Sequence, residues 1–299
     1  MDISRAFKND RLCKALTGMK TSEIDGLLPT FTDLLFINAK SKDRKRKIGG
    51  GRKGELSTPL HKLFFILFYF KCYPTCDFAG FVFSFTRSRP SEWFLKLMPI
   101  LEQTLGRNLV LPTRKISNLE EFLTHFPEAK ELFIDGTERK TQRPKKPKNQ
   151  KKQYSGKKKS HNRKNIIITT KRKEIVYLSP TTGGAKHDFN ITKNERIPQS
   201  LPPDIPIFVD SGFQGIKDLV NNPKMIFMPK KKPRNGQLIT DEKETNTIVS
   251  SIRVKVEHAI AGIKRFNCLS HIYRNKKGLD DAMINIASGL WNYHLRMAG

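Results

Sequence analysis

LFIDGTERKTQRPKKPKNQKKQYSGKKKSH, residues 132–161, sets an apolar run and a carboxylate directly against a dense block of positive charge. Leu132, Phe133 and Ile134 read as a short buried strand, with Asp135 at its end. From Arg139 to Lys173 the chain carries sixteen Lys and Arg and no Asp or Glu. Such a juxtaposition has two readings. One is a turn aspartate followed by a solvated basic loop. The other is a metal-holding carboxylate beside a track for a polyanion. Pro144 and Pro147 argue against helix within the basic block.

Outward from this stretch the pattern is that of an α/β fold. NIIITT (165–170) is β-branched and reads as a second strand. EIVYLS (174–179) reads as a third, joined to the second by a hairpin-like KRK. IPIFVDSG (205–212) and KMIFMP (224–229) read as a fourth and a fifth. HDFNITKNERIP and FQGIKDLVNN, between the later strands, read as helices. A long helical pattern runs from Thr240 to about Phe266, with Asp241 and Glu244 at capping-box spacing. Three strands in succession, then strands alternating with helices, predict a mixed sheet flanked by helices.

Asp135 closes the first strand and Asp210, in FVDSG, closes the fourth. Where those strands lie side by side, the two aspartates share one sheet edge. A third acid is available on the long helix. In SSIRVKVEHAIAGIKRF, Ile252, Val256, Ala259, Ile260 and Ile263 form the apolar stripe, and Glu257 sits at its margin near Arg253 and Lys264. Three converging carboxylates suit hard divalent cations, which take oxygen ligands and can clamp both the attacking and the leaving oxygen of a phosphodiester. Each acid by itself is more economically a turn or surface residue; their joint arrangement carries the reading.

Ahead of the sheet the chain reads as helical. Residues 12–40 show near-helical apolar spacing. SKDRKRKIGGGRKGE follows as a linker, marked by three consecutive glycines. A core helix opens at Pro59, capped by Ser57 or Thr58. YPTCDFAGFVF gives a turn and a short helix, and SRPSEWFLKLMPILEQTL gives a third. Three short helices with tight turns predict a helix-turn-helix-like module at about residues 55–106; a small bundle that only packs is the alternative. The expected division is a helical DNA-binding region over 1–115 and a catalytic domain over 116–299. In the latter, LDDAMINIASGLWNYHLRM closes against the sheet. Trp93 and Trp291 are expected in the core.

Composition agrees. The chain has 299 residues with a formal net charge of +28, a pI near 10.1 and a mean hydropathy of −0.51. An excess of that size favours nucleic acid, with an anionic membrane surface as the weaker partner. The longest apolar run, residues 63–70, is far short of the roughly 20 residues that a span needs. The N-terminus lacks the apolar core of a signal peptide, so a soluble, intracellular protein is expected. Cys13, Cys72, Cys76 and Cys268 suggest neither a disulfide framework nor a zinc site.

At LFIDGTERKTQRPKKPKNQKKQYSGKKKSHNRKN, GGAKHDFNI, IFVDSGFQG and RVKVEHAIAGIKRF the sequence resembles the DDE transposases of bacterial insertion sequences, in the group related to Harbinger elements. LTGMKTSEIDGLLPTF and GRKGELSTPLHKLFFILFYFKCYPTCDFAGFVF extend the resemblance over nearly the whole chain. It implies a ribonuclease-H-like catalytic fold and metal-dependent cutting at inverted-repeat ends, followed by strand transfer into a target. It also implies a triad of Asp135, Asp210 and Glu257 holding two Mg2+ (or Mn2+) ions. The expected partner is double-stranded DNA, bound by a homodimer or larger assembly in the cytoplasm, at the bacterial nucleoid. DNA contacts are expected at Arg139, Lys157, Lys158, Lys159, His161, His187, Arg253 and Lys264. Asp188 has a simpler role as a helix N-cap. The rivals are a recombinase using Ser155 or Tyr154 covalently, a non-catalytic DNA-binding protein derived from a transposase, and an RNA-binding basic protein.

Overall fold

A computed structural model describes residues 3–40, 54–115, 124, 126–127, 129–233, 236–275 and 278–298. Of the expected glycine-bearing linker, residues 41–55, positions 41–53 lie outside them. The chain forms two compact units. The first comprises Met1–Leu111, Ile263–His271 and Ala282–Gly299, and the second Pro112–Gly262 and Ile272–Asp281. No helix among the described residues is long and apolar enough to cross a membrane.

The first unit is helical. Its elements are α1 (Ile3–Phe7), α2 (Asp10–Thr17), α3 (Thr21–Lys40), α4 (Pro59–Cys72), α5 (Cys76–Phe83) and α6 (Arg89–Arg107). The single helix expected over 12–40 breaks at Gly18, whose left-handed φ of 78° lets its N–H return to Lys14 O and end α2. α4 opens as its sequence predicts, with Thr58 accepting from the His61 N–H and Pro59 in the first turn. Residues 63–70 of α4 are all buried, so the helix is covered on every side and needs no polar face. α5, with no Lys or Arg, leaves Phe78 and Phe81 exposed.

The C-terminal helix belongs here rather than with the sheet. From Ala282 its residues lie in the first unit. Asn285 Nδ2 donates to Glu102 Oε1, Asn292 Nδ2 donates to Val110 O, and His294 pairs with the buried Glu23. Trp93 and Trp291 are half-buried rather than central, with Lys96 over the first ring and Arg265 over the second.

The second unit holds the mixed sheet. Its strands are β1 (Leu132–Lys140), β2 (Tyr154–Ser155), β3 (Ser160–Thr170), β4 (Ile175–Leu178), β5 (Thr182–Gly183), β6 (Ile207–Val209) and β7 (Ile226–Phe227). β3 pairs antiparallel with β1, β2, β4 and β5, while β1 runs parallel to β6 and β6 parallel to β7. The core is built on strand residues such as Ile134, Ile166, Ile168 and Val209, with Phe213 and Ile216 from the segment after β6.

Three local expectations change. β1 continues five residues beyond Asp135, so that acid lies within a strand and not at its end. The helix expected at FQGIKDLVNN is reduced to two short 3-10 turns, Ser211–Phe213 and Ile216–Asp218, because Gly215 between them has φ 89°. Pro147 starts a helix instead of preventing one. α7 (Pro147–Gln153) has the proline in its first turn, where a missing N–H removes no helix bond.

α7 ends on β5, and glycine permits the approach. A Cβ on Gly183 would run into the Lys152 carbonyl oxygen, and one on Gly184 would lie 2.8 Å from Gln153 O. Gly183→Ala should therefore displace α7, at about 1–3 kcal/mol of stability. The checks are a lower melting temperature and faster tryptic cutting after Lys151 and Lys152; unchanged values would show that α7 does not rest on β5.

Candidate active site

The site is assembled where β1 and β6 run side by side. Leu132, Phe133 and Ile134 lie opposite Ile207, Phe208 and Val209, so the next residue on each strand is an aspartate, Asp135 and Asp210. Parallel pairing in this register makes neighbours of two carboxylates 75 residues apart in sequence. Asp135 Oδ1 accepts the Gly136 N–H at 2.7 Å.

One cation answers both acids. Arg253 Nη2 lies 3.6 Å from Asp135 Oδ2, and Arg253 Nη1 lies 3.3 Å from Asp210 Oδ1. Arg253 comes from α9 (Thr240–Lys264), while α8 (Asp188–Asn194) borders the site. α9 buries Val249, Val256, Ala259 and Ile263, and Arg253 falls at helical spacing between Val249 and Val256. Its side chain is 11% exposed. Glu257, the expected third acid, is exposed one turn further along α9 and does not join the aspartates in this structure. Among the described residues, no three His, Cys, Asp or Glu side chains are grouped so as to hold a metal ion.

A second cation organises the other flank. Lys164, in β3 and opposite Glu138 of β1, is buried. Its Nζ lies 3.3 Å from Glu138 Oε1 and 3.1 Å from Asp188 Oδ1, and donates to Lys186 O at 3.0 Å. Asp188 is not the N-cap it was expected to be. His187 occupies that position, without a side-chain capping bond, and the Asp188 carboxylate packs on Gly136. A Cβ added to Gly136 would lie 2.7 Å from Asp188 Cγ. The IDG motif thus needs its glycine because a carboxylate fills the space a side chain would take.

Burial pushes the Asp135 carboxyl up to about 6. The Gly136 N–H and Arg253 pull it down, and the charges of Asp210 and Asp188 push it further up.

The model of the DDE superfamily endonucleases matches residues 134–292, a span holding Asp135, Asp210, Glu257, Lys164 and Asp188. The chain belongs to the DDE superfamily endonucleases. A probable transposase for insertion sequence element IS702 from Microchaete diplosiphon is 29% identical over 286 residues, covering 95% of this chain and 97% of that protein. No solved structure matches.

The remaining DNA-contact candidates of this DDE endonuclease separate by burial. Arg139 is internal, at 5% exposure. Its Nη1 donates to Asn165 Oδ1 at 2.6 Å, and Nη2 lies 3.7 Å from the buried Asp280. A guanidinium so placed organises the interior of the sheet and presents nothing to a phosphate. Lys157, Lys158 and Lys159 are exposed in the turn between β2 and β3, His161 is half-buried beside them, and His187 is exposed at the start of α8. Lys264 is half-buried and belongs to the first unit. Ser155 is buried at 3% exposure and its hydroxyl accepts the Lys158 N–H, which is poor placement for a covalent nucleophile.

Lys164 and Glu138 were not singled out from the sequence. Lys164 stands in a run of cations, and its partners come from β1 and from the 186–188 segment, so no local pattern marks it as buried.

Proposed function

We propose that the chain is the transposase of an insertion sequence, cutting double-stranded DNA at the element's inverted-repeat ends and joining the freed ends to target DNA. The observation that carries this is the convergence of Asp135 and Asp210, from adjacent parallel strands, on a single positive charge. The Arg253 guanidinium acts as a stand-in cation here. Two carboxylates that share one cation fit a divalent ion of the hard, oxygen-seeking kind, Mg2+ or Mn2+, in the two-ion arrangement of phosphodiester chemistry. The sheet supports a ribonuclease-H-like reading: three antiparallel strands (β4, β3, β1) are extended by two parallel ones (β6, β7).

In this proposal Asp135 and Asp210 hold the metal, and Glu257 is the third acid. Arg253 and Glu257 are four residues apart and share a face of α9, so the acid lies about one turn, roughly 5.4 Å, from the arginine. When bound, the ions supply a more acidic water and neutralise charge on the scissile phosphate. The protein positions the strand. Lys157, Lys158 and Lys159 neutralise backbone phosphates, His187 borders the site from the α8 N-terminus, and Arg253 is released by the aspartates to the phosphate they face. Positioning and electrostatics then supply most of the rate. In the first unit, α4–α6 read the element end as a helix-turn-helix-like module, with Arg89, Lys96 and Arg107 of α6 supplying cations that α5 lacks. Bringing two ends together requires at least a dimer.

The test is a cleavage assay on duplex bearing the inverted-repeat ends in Mg2+, Mn2+ or EDTA. Cutting is expected in either metal and absent in EDTA. Asp210→Asn and Glu257→Gln should each lose at least about 100-fold in rate while still binding DNA. Cutting in EDTA would end the metal-dependent reading. A Glu257→Gln enzyme at full rate would place the third acid elsewhere. Binding without cutting under every condition would favour a non-catalytic DNA-binding descendant.

A further inference from the structure

The cationic hairpin carries an aromatic surface that phosphate contact does not use. Tyr154 is the first residue of β2, directly after α7, and the residue is 45% exposed. Its partner across the β2–β3 pair is His161. The two rings meet edge to face, with centroids 5.6 Å apart and planes at 69°. That contact braces the tyrosine ring on one side, while nearly half of the residue stays open to solvent. The hairpin beneath is pinned. Ser155, pointing to the opposite side of the strand, is buried, and its hydroxyl accepts the Lys158 N–H at 3.3 Å. Exposed Lys152 precedes the tyrosine, and exposed Lys157, Lys158 and Lys159 follow it.

An exposed tyrosine alone carries no message. One braced by a second ring, half open to solvent and set among lysines is suited to be a stacking platform beside a phosphate track, which is how proteins grip unpaired nucleic acid. A base inside a duplex has both faces covered by its neighbours, so this ring can take only a base that is unpaired or terminal.

We infer that Tyr154, braced by His161, is a stacking subsite for an unpaired nucleobase of the DNA held by the β2–β3 hairpin. The inference rests on the reading that the chain acts on DNA. The subsite is not the cutting site. His161 lies six residues before Ile167, the partner of Asp135 on β3, which is about 20 Å at the ordinary strand rise. At about 3.4 Å per stacked nucleotide, the base it takes is roughly six positions from the phosphate at the aspartates. The protein would thereby favour DNA opened, or easily opened, at that distance from the cut.

The full chain is titrated in EDTA, so that nothing is cleaved, with two duplexes of equal length. One is fully paired; the other carries a four-nucleotide unpaired segment containing 2-aminopurine. Stacking on Tyr154 is expected to quench the 2-aminopurine and to favour the opened duplex by on the order of tenfold. Tyr154→Phe should keep both effects. Tyr154→Ala should lose both while binding the paired duplex as the unaltered chain does. The inference is overturned if Tyr154→Ala still quenches, if Tyr154→Phe loses the quench, or if Tyr154→Ala weakens both duplexes equally. Failure of the unaltered chain to bind even the paired duplex at low salt would instead overturn the DNA reading itself, and the subsite with it.

Discussion

Asp135→Asn is expected to end cleavage and, in the same molecule, to make the fold more stable above pH 6. The Asp135 carboxyl is raised from 3.8 to about 6, chiefly by burial. Between those values the folded chain binds more protons than the unfolded one, so the stability contributed by this group is present at low pH and declines as pH rises through the window. Above pH 6 the whole penalty remains, about 3 kcal/mol for a shift of roughly two units. Asparagine removes the charge and keeps an oxygen for the Gly136 N–H. It also leaves Arg253 with Asp210 as its ion-pair partner at the site, which offsets part of the gain. A net gain of about 1–2 kcal/mol at pH 8 is expected, and a smaller one at pH 5, read from urea unfolding at both pH values. A variant less stable than the parent at pH 8, or equally stabilised at both, would show that Asp135 is not held at an energetic cost. Cleavage lost together with stability gained is the signature of a residue kept for chemistry.

The two aspartates were legible because their signal is local. Short apolar runs that meet a carboxylate, LFID and IFVD, mark the start of β1 and the end of β6, while the pairing of those strands was one possibility that the parallel register realises. The third position was not legible. Arg253 and Glu257 are four residues apart at the margin of one apolar stripe, so periodicity gives them the same face and cannot choose which one reaches the aspartates. Arg139 was misplaced for a related reason. A run of cations reads as surface, yet Arg139 finds buried partners in Asn165 and Asp280, which lie 26 and 141 residues away in sequence. The C-terminal helix shows the same limit at larger scale. Its amphipathic pattern is plain, but the partners that claim it, Glu23, Glu102 and Val110, are all at the far end of the chain. Pattern gives the existence of an element; partners distant in sequence decide where it goes.

Lys164→Met is expected to be the most damaging single change near the site. Methionine fills much the same volume without charge, so packing in β3 is nearly conserved and the loss is electrostatic. The lysine side chain is 8% exposed, that of Glu138 12% and that of Asp188 28%. Removing the cation strands both acids. Glu138 keeps the Asn162 amide, which donates to it at 2.6 Å, whereas Asp188 loses the charge that holds it on Gly136. Breaking a buried pair costs about 3–5 kcal/mol; with Asp188 partly solvated, about 2–4 kcal/mol is expected for the group as a whole. The pH dependence gives a second reading. Partial burial raises the Glu138 carboxyl, but the Asn162 amide and Lys164 together hold it below the usual range, so its contribution is present above the unfolded value and is lost as pH falls through the folded one. The penalty of Lys164→Met should therefore shrink under acid conditions, where the stranded Glu138 carboxylate protonates. Adding Glu138→Gln should recover part of the loss at neutral pH, because one of the two unpaired charges disappears with it, and a double-mutant cycle measures that recovery as a coupling of 1 kcal/mol or more on the order expected for contacting charges. A lysine whose removal costs under about 1 kcal/mol, with no such coupling, would be a surface cation, and the arrangement of Asp188 over Gly136 would then need another cause.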